Sequence, residues 1–196
     1  MGPTDEELVE AFRGGDLAAF DVLVHRWDRK VRGAIHRILG NEEDARELCQ
    51  EALLKAYRGL GSFKGEARFS SWLYQIALNL CRDRMRRRPR RMVSLGELEE
   101  GGKAIATGRP SALDLVEGRD LARAVAAAVA SLSEEQREVI VLKEYQELTF
   151  VEIAEVLGVP LSTVKTRLYR GLSQLRVQLE GQGIHEASPV PIALSR

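Results

Sequence analysis

The sequence predicts an all-α chain: two small helical domains joined by a flexible linker. Three observations predict it. Apolar residues recur at spacings of three and four along nearly the whole chain, and no strand-like alternation persists. Between 93 and 112 large apolar residues thin out while Gly96, Gly101, Gly102, Gly108 and Pro110 accumulate. The stretch Leu148–Arg176 has the outline of a helix-turn-helix. The expected division is a first lobe over 1–92, a linker over 93–112, a second lobe over 113–180 and a flexible tail over 181–196. The chain has 196 residues, enough for one or two domains, and its 44% hydrophobic share argues against wholesale disorder.

The elements follow in order. Thr4 with Glu7 forms a candidate capping box ahead of Leu8, Ala11 and Phe12. Phe20, Leu23, Val24, Trp27, Val31, Ala34, Ile35 and Ile38 line one face of a long second helix that stops at Gly40. Asn41 caps a third helix whose first turn holds Glu42, Glu43 and Asp44, where the macrodipole favours acids. Its apolar side is Leu48, Ala52, Leu53, Ala56 and Tyr57. The residues 59–71 read as a loop. A fourth helix starts at Trp72, runs through Leu73, Ile76, Ala77 and Leu80 into a run of arginines, and breaks near Pro89. Residues 113–130 read as an Ala-rich helix, and Ser133 with Gln136 as a second capping box. The short run 139–142 fits either a buried strand or a helix; the cap before it and the helices around it favour helix. In the final hairpin Gly158 ends one helix in the left-handed conformation and Pro160 takes a first-turn position of the next. Leu161, Val164, Leu168, Leu172 and Leu175 make its inward stripe.

The 29 Lys and Arg balance the 29 Asp and Glu, but the signs are segregated. Residues 82–91 carry seven Arg against one Asp, and residues 42–51 carry five acids against one Arg. Residues 133–155 carry seven acids against Arg137 and Lys143. Such blocks suit a protein that meets nucleic acid with some faces and other partners with the rest. The same inventory argues against several classes. The three His are not at metal-ligand spacing, no phosphate-cradling Gly-rich loop is present, and no catalytic set or cofactor site emerges. Cys49 and Cys81 fall on or beside apolar helix faces and read as buried thiols. No apolar run approaches a membrane span and no signal peptide opens the sequence, so the cytoplasm is the expected location.

Two surfaces have the chemistry of nucleic-acid contact. On the last helix Ser162, Lys165, Thr166, Tyr169 and Arg170 face outward, and no Asp or Glu occurs between Pro160 and Leu179 to repel phosphate. On the fourth helix Gln75, Asn79, Arg82 and Arg86 form one polar stripe opposite the apolar one, with further Arg at 84, 87, 88, 90 and 91. Just upstream, Tyr57, Phe63 and Phe69 lie among Lys64 and Arg68. Aromatics interleaved with cations suit single-strand stacking, and aromatics beside a helix equally suit a core.

The chain resembles the bacterial sigma factors of the extracytoplasmic-function group. The motifs that carry the resemblance are DARELCQEALLKAY at 44–57, FKGEARFSSWLYQIALNLCRDRMRR at 63–87 and the terminal helix-turn-helix. The first two are similar to region 2 of that family and the last to region 4, together covering about Thr4 to Leu179. The family lacks the large region 3 of housekeeping sigma factors, and here only a linker stands in its place. The resemblance implies that Asp44, Glu47, Leu48, Gln50 and Glu51 dock on the β′ clamp helices of core RNA polymerase, with Asp44 and Glu47 exposed. It implies that residues 63–71, including Phe63, Lys64, Arg68 and Phe69, hold an unstacked base of the minus-ten element. Asn79, Arg82 and Arg86 would read that element. Ser162, Thr163, Lys165, Thr166, Arg167, Tyr169 and Arg170 would contact the minus-thirty-five element. The acidic residues 133–155 and the apolar side of region 4 would meet the β flap.

The expected function is therefore that of an alternative sigma factor, which binds core polymerase, directs it to promoters and assists melting. Expected partners are core RNA polymerase, promoter DNA and an anti-sigma factor; the chain is expected to be neither an enzyme nor inserted in a membrane. A dimeric duplex-binding regulator would explain the last helix but leave the arginine block and the 63–71 loop without a role. A helical adaptor that keeps the fold without opening DNA is separated from both by transcription with core enzyme. Free chain is expected to bind promoter duplex weakly, because a Gly-rich linker does not hold its two surfaces at a fixed separation.

Overall fold

The computed structural model describes residues 2–65, 67–87, 112–182 and 184. The linker expected at 93–112, save Ala112 at its end, the helix break near Pro89 and the tail beyond Ile184 lie outside the described residues. Among the described residues there are eight α-helices and no strand. The helices are α1 Asp5–Arg13, α2 Ala18–Leu39, α3 Glu42–Gly59, α4 Phe69–Arg87, α5 Ala112–Ala130, α6 Glu134–Ile140, α7 Phe150–Leu157 and α8 Leu161–Gly181.

The first lobe is α1 to α4. The Thr4–Glu7 capping box forms, Gly40 takes the left-handed conformation with φ 70°, and the Asn41 side chain accepts from the Asp44 N–H. α3 packs along both α2 and α4. Ala45, Ala52 and Ala56 are fully buried there, and small side chains let helix axes approach closely. Against them lie Leu23, Val31, Ala34, Ile35 and Ile38 of α2 and Leu73, Ala77, Leu80 and Cys81 of α4. The α1 helix is pinned to α2 by Asp5, whose carboxylate accepts from Arg26 and, at 3.0 Å, from the Trp27 indole N–H.

α4 starts three residues before the expected Trp72, because Phe69 is buried in the core between Trp27 and Trp72 and brings its backbone into the helix. A single 3₁₀ turn over Leu60–Ser62 fills part of the expected loop.

The second lobe is α5 to α8. Its core is Val139, Ile140, Val141, Leu142, Ile153, Val164, Leu168 and Leu175. The run 139–142 is helical, as its cap indicates, but the chain then widens into a π-turn over Val141–Tyr145 that the pattern does not announce. Glu147 follows with φ 57°, an unusual conformation for a side chain with a Cβ, and the Leu148 N–H reaches back to the Leu142 carbonyl at 3.1 Å. Gly158 is left-handed as expected. Pro160 is the N-cap of α8 rather than its first residue, with ψ 146°. Position 171 holds α8 against α6: a Cβ there would lie 2.7 Å from Ile140 Cδ1. One apolar residue expected to face inward does not: Leu161 is exposed.

The lobes are docked on one another, where the composition of the linker suggested independent bodies. α4 lies against α7, and α2 against α5, α6 and the π-turn. Arg137 of α6 is central to this arrangement. Its Nε donates to Val129 O at 3.1 Å and its Nη2 to Leu132 O at 3.0 Å and to Ala130 O. Its Nη1 reaches across to Ile38 O of α2 at 2.7 Å. These carbonyls include the C-terminal ends of α5 and α2, which have no intrahelical donor. One guanidinium therefore satisfies a helix end in each lobe, and the dipoles there favour its charge. Burial lowers the Arg137 pKa from its ordinary value, yet it stays protonated. Arg137→Ala should lower the unfolding free energy by about 2–4 kcal/mol, since several carbonyls lose their donor. Arg137→Lys should recover only part of it, because an ammonium lacks the planar fork. Urea unfolding followed by circular dichroism measures both.

Candidate nucleic-acid and polymerase interfaces

The outer face of α8 is open. Ser162, Lys165, Thr166, Tyr169 and Arg170 are exposed, while Val164, Leu168, Gly171 and Leu175 turn inward. Tyr169, 63% exposed, is a large aromatic without a core role. Thr163 and Arg167 are half-buried. The Thr166 hydroxyl donates to Ser162 O at 2.9 Å, so within the free chain it is engaged along its own helix. Arg167 lies towards α6: it helps hold the Glu135 carboxyl below the usual range, after hydrogen bonds from that residue's backbone and from Ser133.

The polar stripe of α4 is divided. Gln75, Asn79 and Arg86 are exposed; Arg82 is half-buried and faces the second lobe. Its Nε donates to Glu138 Oε1 at 2.8 Å and its Nη2 to Glu138 Oε2 at 2.7 Å, a bidentate fork. Glu138 is 2% exposed. This hydrogen bonding raises the Arg82 pKa above its ordinary value. Arg86 pairs with Asp83 on its own helix. Arg84, counted from sequence as free positive potential, bridges to Asp44 and, at 2.7 Å, to Glu47, tying α4 to α3. Arg88, Arg90 and Arg91 lie outside the described residues.

The loop before α4 corrects the stacking expectation. The Phe69 ring is fully buried, and Phe63 is 9% exposed with its ring 4.8 Å from that of Trp72. Both rings serve the core, so neither offers a free face to a base. Lys64 is exposed, and Arg68 is exposed while pairing with Glu152 of α7 at 2.9 Å.

The polymerase face needs a similar correction. Asp44, expected to be exposed, is 3% exposed and held by Arg84, and Leu48 belongs to the core. Glu47 and Gln50 face outward, and Glu51 pairs with Lys55 at 3.1 Å. Leu54, 47% exposed one turn beyond Gln50, adds an apolar group to this face that the sequence pattern did not single out.

Four residues at the junction between the lobes were not singled out as functional: Tyr74, Arg137, Glu138 and Gln146. The Tyr74 hydroxyl donates to Gln146 Oε1 at 2.5 Å, and burial pushes its pKa up. The Arg37 guanidinium stacks 4.2 Å from the Tyr145 ring centre. One signal was available: Glu138 follows Arg137 and precedes Val139 and Ile140, so an acid stands at the start of a buried run.

The cysteines are buried as expected, and burial pushes both thiols up to about 12. Among the described residues no group of three or more His, Cys, Asp or Glu is placed to hold a metal, and no helix is long and apolar enough to cross a membrane.

This arrangement, a helical lobe with a polar α4 face and a helix-turn-helix lobe with an open α8 face, defines a DNA-binding transcription protein. Sigma-70 region 2 matches residues 23–91, and Sigma-70 region 4 matches residues 122–175. The chain is 36% identical to the ECF RNA polymerase sigma factor SigW of Bacillus subtilis, covering 89% of this chain and 96% of that one. It is 35% identical to the ECF sigma-E factor of Escherichia coli, over 85% and 90% respectively. It is 34% identical to the sigma-H factor of Pseudomonas aeruginosa, over 85% and 89%. Among solved structures it is similar to CnrH in complex with the cytosolic domain of CnrY, with a TM-score of 0.69, 26% identity, and coverage of 90% and 97%. The chain belongs to the extracytoplasmic-function group of the sigma-70 family. It is an alternative sigma factor, of the kind that directs RNA polymerase to promoters.

Two predictions separate structural from interfacial residues. Asp44→Lys should cost about 3 kcal/mol or more, because it places a second cation against Arg84 inside the protein. Glu47→Lys, at an exposed position, should shift thermal unfolding far less; equal shifts would place Asp44 at the surface after all. Thiol reagents should label Cys49 and Cys81 only on unfolding, since thiols with a pKa near 12 carry almost no thiolate at neutral pH. Fast labelling of folded protein would contradict their burial.

Proposed function

We propose that the two lobes divide promoter recognition, with α8 anchoring on minus-thirty-five duplex and the α4 face holding the minus-ten element as it opens. The observation that carries this reading is the α8 surface: a helix without an acid from Leu161 to Leu179, with Tyr169, Arg170, Lys165 and Ser162 exposed and every buried side chain on the opposite side. A helix so presented fits a major groove. On α4, Gln75 and Asn79 supply exposed amides and Arg82 and Arg86 supply guanidinium groups, which can bond base edges and backbone. Extruding a base costs a few kcal/mol, and the protein lowers that cost by binding the exposed strand, so affinity for open DNA shifts the closed–open equilibrium. The reading needs no covalent chemistry; it makes the chain a non-enzymatic initiation factor acting on polymerase in the cytoplasm, with no cofactor or metal.

Core polymerase is the first partner. Glu47, Gln50, Glu51 and Leu54 form the α3 face offered to the β′ clamp helices, and the exposed acids Glu134 and Glu135 of α6 and Glu155 of α7 are those offered to the β flap. An anti-sigma factor is the expected regulator: the similar CnrH structure is a complex with the cytosolic domain of CnrY.

Run-off transcription with core enzyme on genomic promoters tests the reading as a whole, and absence of any specific transcript would end it. Two substitutions test the division of labour. Arg170→Ala should weaken binding of holoenzyme to a minus-thirty-five duplex by about 1–3 kcal/mol. Asn79→Ala should leave that duplex untouched and reduce opening, with recovery on a promoter carrying a mismatched minus-ten region. Equal losses on the isolated duplex would show that the lobes do not divide the task.

A further inference from the structure

Phe150, half-buried at the start of α7, lies beside two lysines of the second lobe. We infer that Phe150 is a positioning residue for duplex binding: its ring steadies the Lys165 ammonium at the α7 edge of the recognition face, where Lys165 meets a backbone phosphate and leaves the base edges to its neighbours on α8. The inference rests on the proposed seating of α8 in the minus-thirty-five major groove.

Three observations support it. The first is the ring with its two ammonium groups. Lys165 Nζ lies 5.8 Å from the centre of the Phe150 ring, and Lys143 Nζ lies 5.1 Å from it. A cation at this range is attracted by the negative face of the ring. The two lysines are held differently. Lys143 is half-buried, and its ammonium also donates to Leu148 O at 3.1 Å, which ties it to the turn before α7. Lys165 is exposed, and among the described residues its ammonium has the ring as its one contact. A lysine side chain has much rotamer freedom to lose on binding. A ring that holds the ammonium in place before the duplex arrives reduces that loss.

The second is direction. In a helix-turn-helix the second helix enters the groove and the first crosses the backbone. Phe150 is the first residue of α7, so a cation drawn to its ring is drawn towards the strand that α7 crosses. Lys165 sits between Ser162 and Tyr169 on one outward stripe, and spacing alone would group it with them as a base reader. The ring separates it from that group.

The third is charge. Two ammonium groups share one ring, and among the described residues neither has a carboxylate partner. The acid in the first turn of α7 is Glu152, whose carboxylate is taken up by Thr149 at 2.7 Å and by Arg68 at 2.9 Å. Like charges gathered on one ring repel each other until an anion joins them. Phosphate is the anion that a duplex supplies. Lys143, fixed on Leu148 O, adds to the potential that favours it.

The test uses holoenzyme assembled from the full chain and core polymerase, with a pool of short randomised duplexes. The bound fraction is sequenced and its affinity is measured over a range of salt, with core polymerase alone as the blank. Lys165→Met should lower the slope of log affinity against log salt by about one and leave the selected sequence unchanged. Phe150→Leu, which keeps an apolar side chain without an aromatic face, should weaken binding about threefold, again with the selected sequence unchanged. Phe150→Tyr should bind as the unaltered chain does. Once Lys165→Met is present, Phe150→Leu should cost nothing more. A loss from Phe150→Leu that is the same with and without Lys165→Met would make the ring a packing element and overturn the inference. A change of selected base on Lys165→Met would overturn it too. Arg170→Ala checks the reading underneath, and should relax the selected sequence at one position. If neither Arg170→Ala nor Lys165→Met changes binding, α8 is not in the groove and the inference falls with that reading. If Arg170→Ala acts and Phe150→Leu does not, the inference alone fails. Should Phe150→Leu lose helicity, the unaltered chain decides: a nuclear Overhauser contact between the Phe150 ring and the Lys165 Cε protons is expected, and its absence overturns the positioning.

Discussion

Two neighbouring charges on α6 cannot remain buried without partners, and both find partners in the other lobe. Arg137 donates to the carbonyl end of α2, and Glu138 accepts the fork of Arg82 on α4. Removing either partner would strand a charge in a poorly solvated place, which is why such pairs resist separation even where their net contribution is modest. Around them lie further polar contacts: a tyrosine–glutamine hydrogen bond, a cation on an aromatic ring and the Arg68–Glu152 ion pair. A junction of this kind specifies a geometry without binding it irreversibly.

The same chemistry places acids of the second lobe beside arginines of the first. Exposed cations attract any carboxylate that the rest of the chain can bring to them. The second lobe is rich in acids beside α6 and α7, and three of them, Glu135, Glu138 and Glu152, lie around the arginines of the first.

Most of the fold was legible from local signals. Thr4–Glu7, Asn41 and Ser133–Gln136 cap helices as their residue types require, and Gly40 and Gly158 end them in the left-handed conformation. The open face of α8 followed from periodicity alone. What was not legible depends on partners distant in sequence. Asp44 is in the first turn of a helix, where an acid is favoured whether or not it is exposed; only Arg84, forty residues on, makes it interior. Phe63 and Phe69 are placed by Trp27 and Trp72. The π-turn at Val141–Tyr145 and the left-handed Glu147 leave no mark in a pattern of apolar spacing, because the residues there are ordinary helix formers. The docking of the lobes was hidden by the linker's composition, which describes how a chain can move and not what its ends prefer to touch.

The central claim is that Arg137 and Glu138 of the second lobe hold it docked on the first. The distance between α3 and α8 tests it most directly. Spin labels at Lys55→Cys and Arg176→Cys report that distance by pulsed dipolar spectroscopy, and the buried native thiols should not take up label. The account predicts one short, narrow distance distribution for the chain, broadened when Arg137→Ala and Glu138→Gln are combined. A broad or long distribution in the free chain, unchanged by Glu138→Gln, would contradict it.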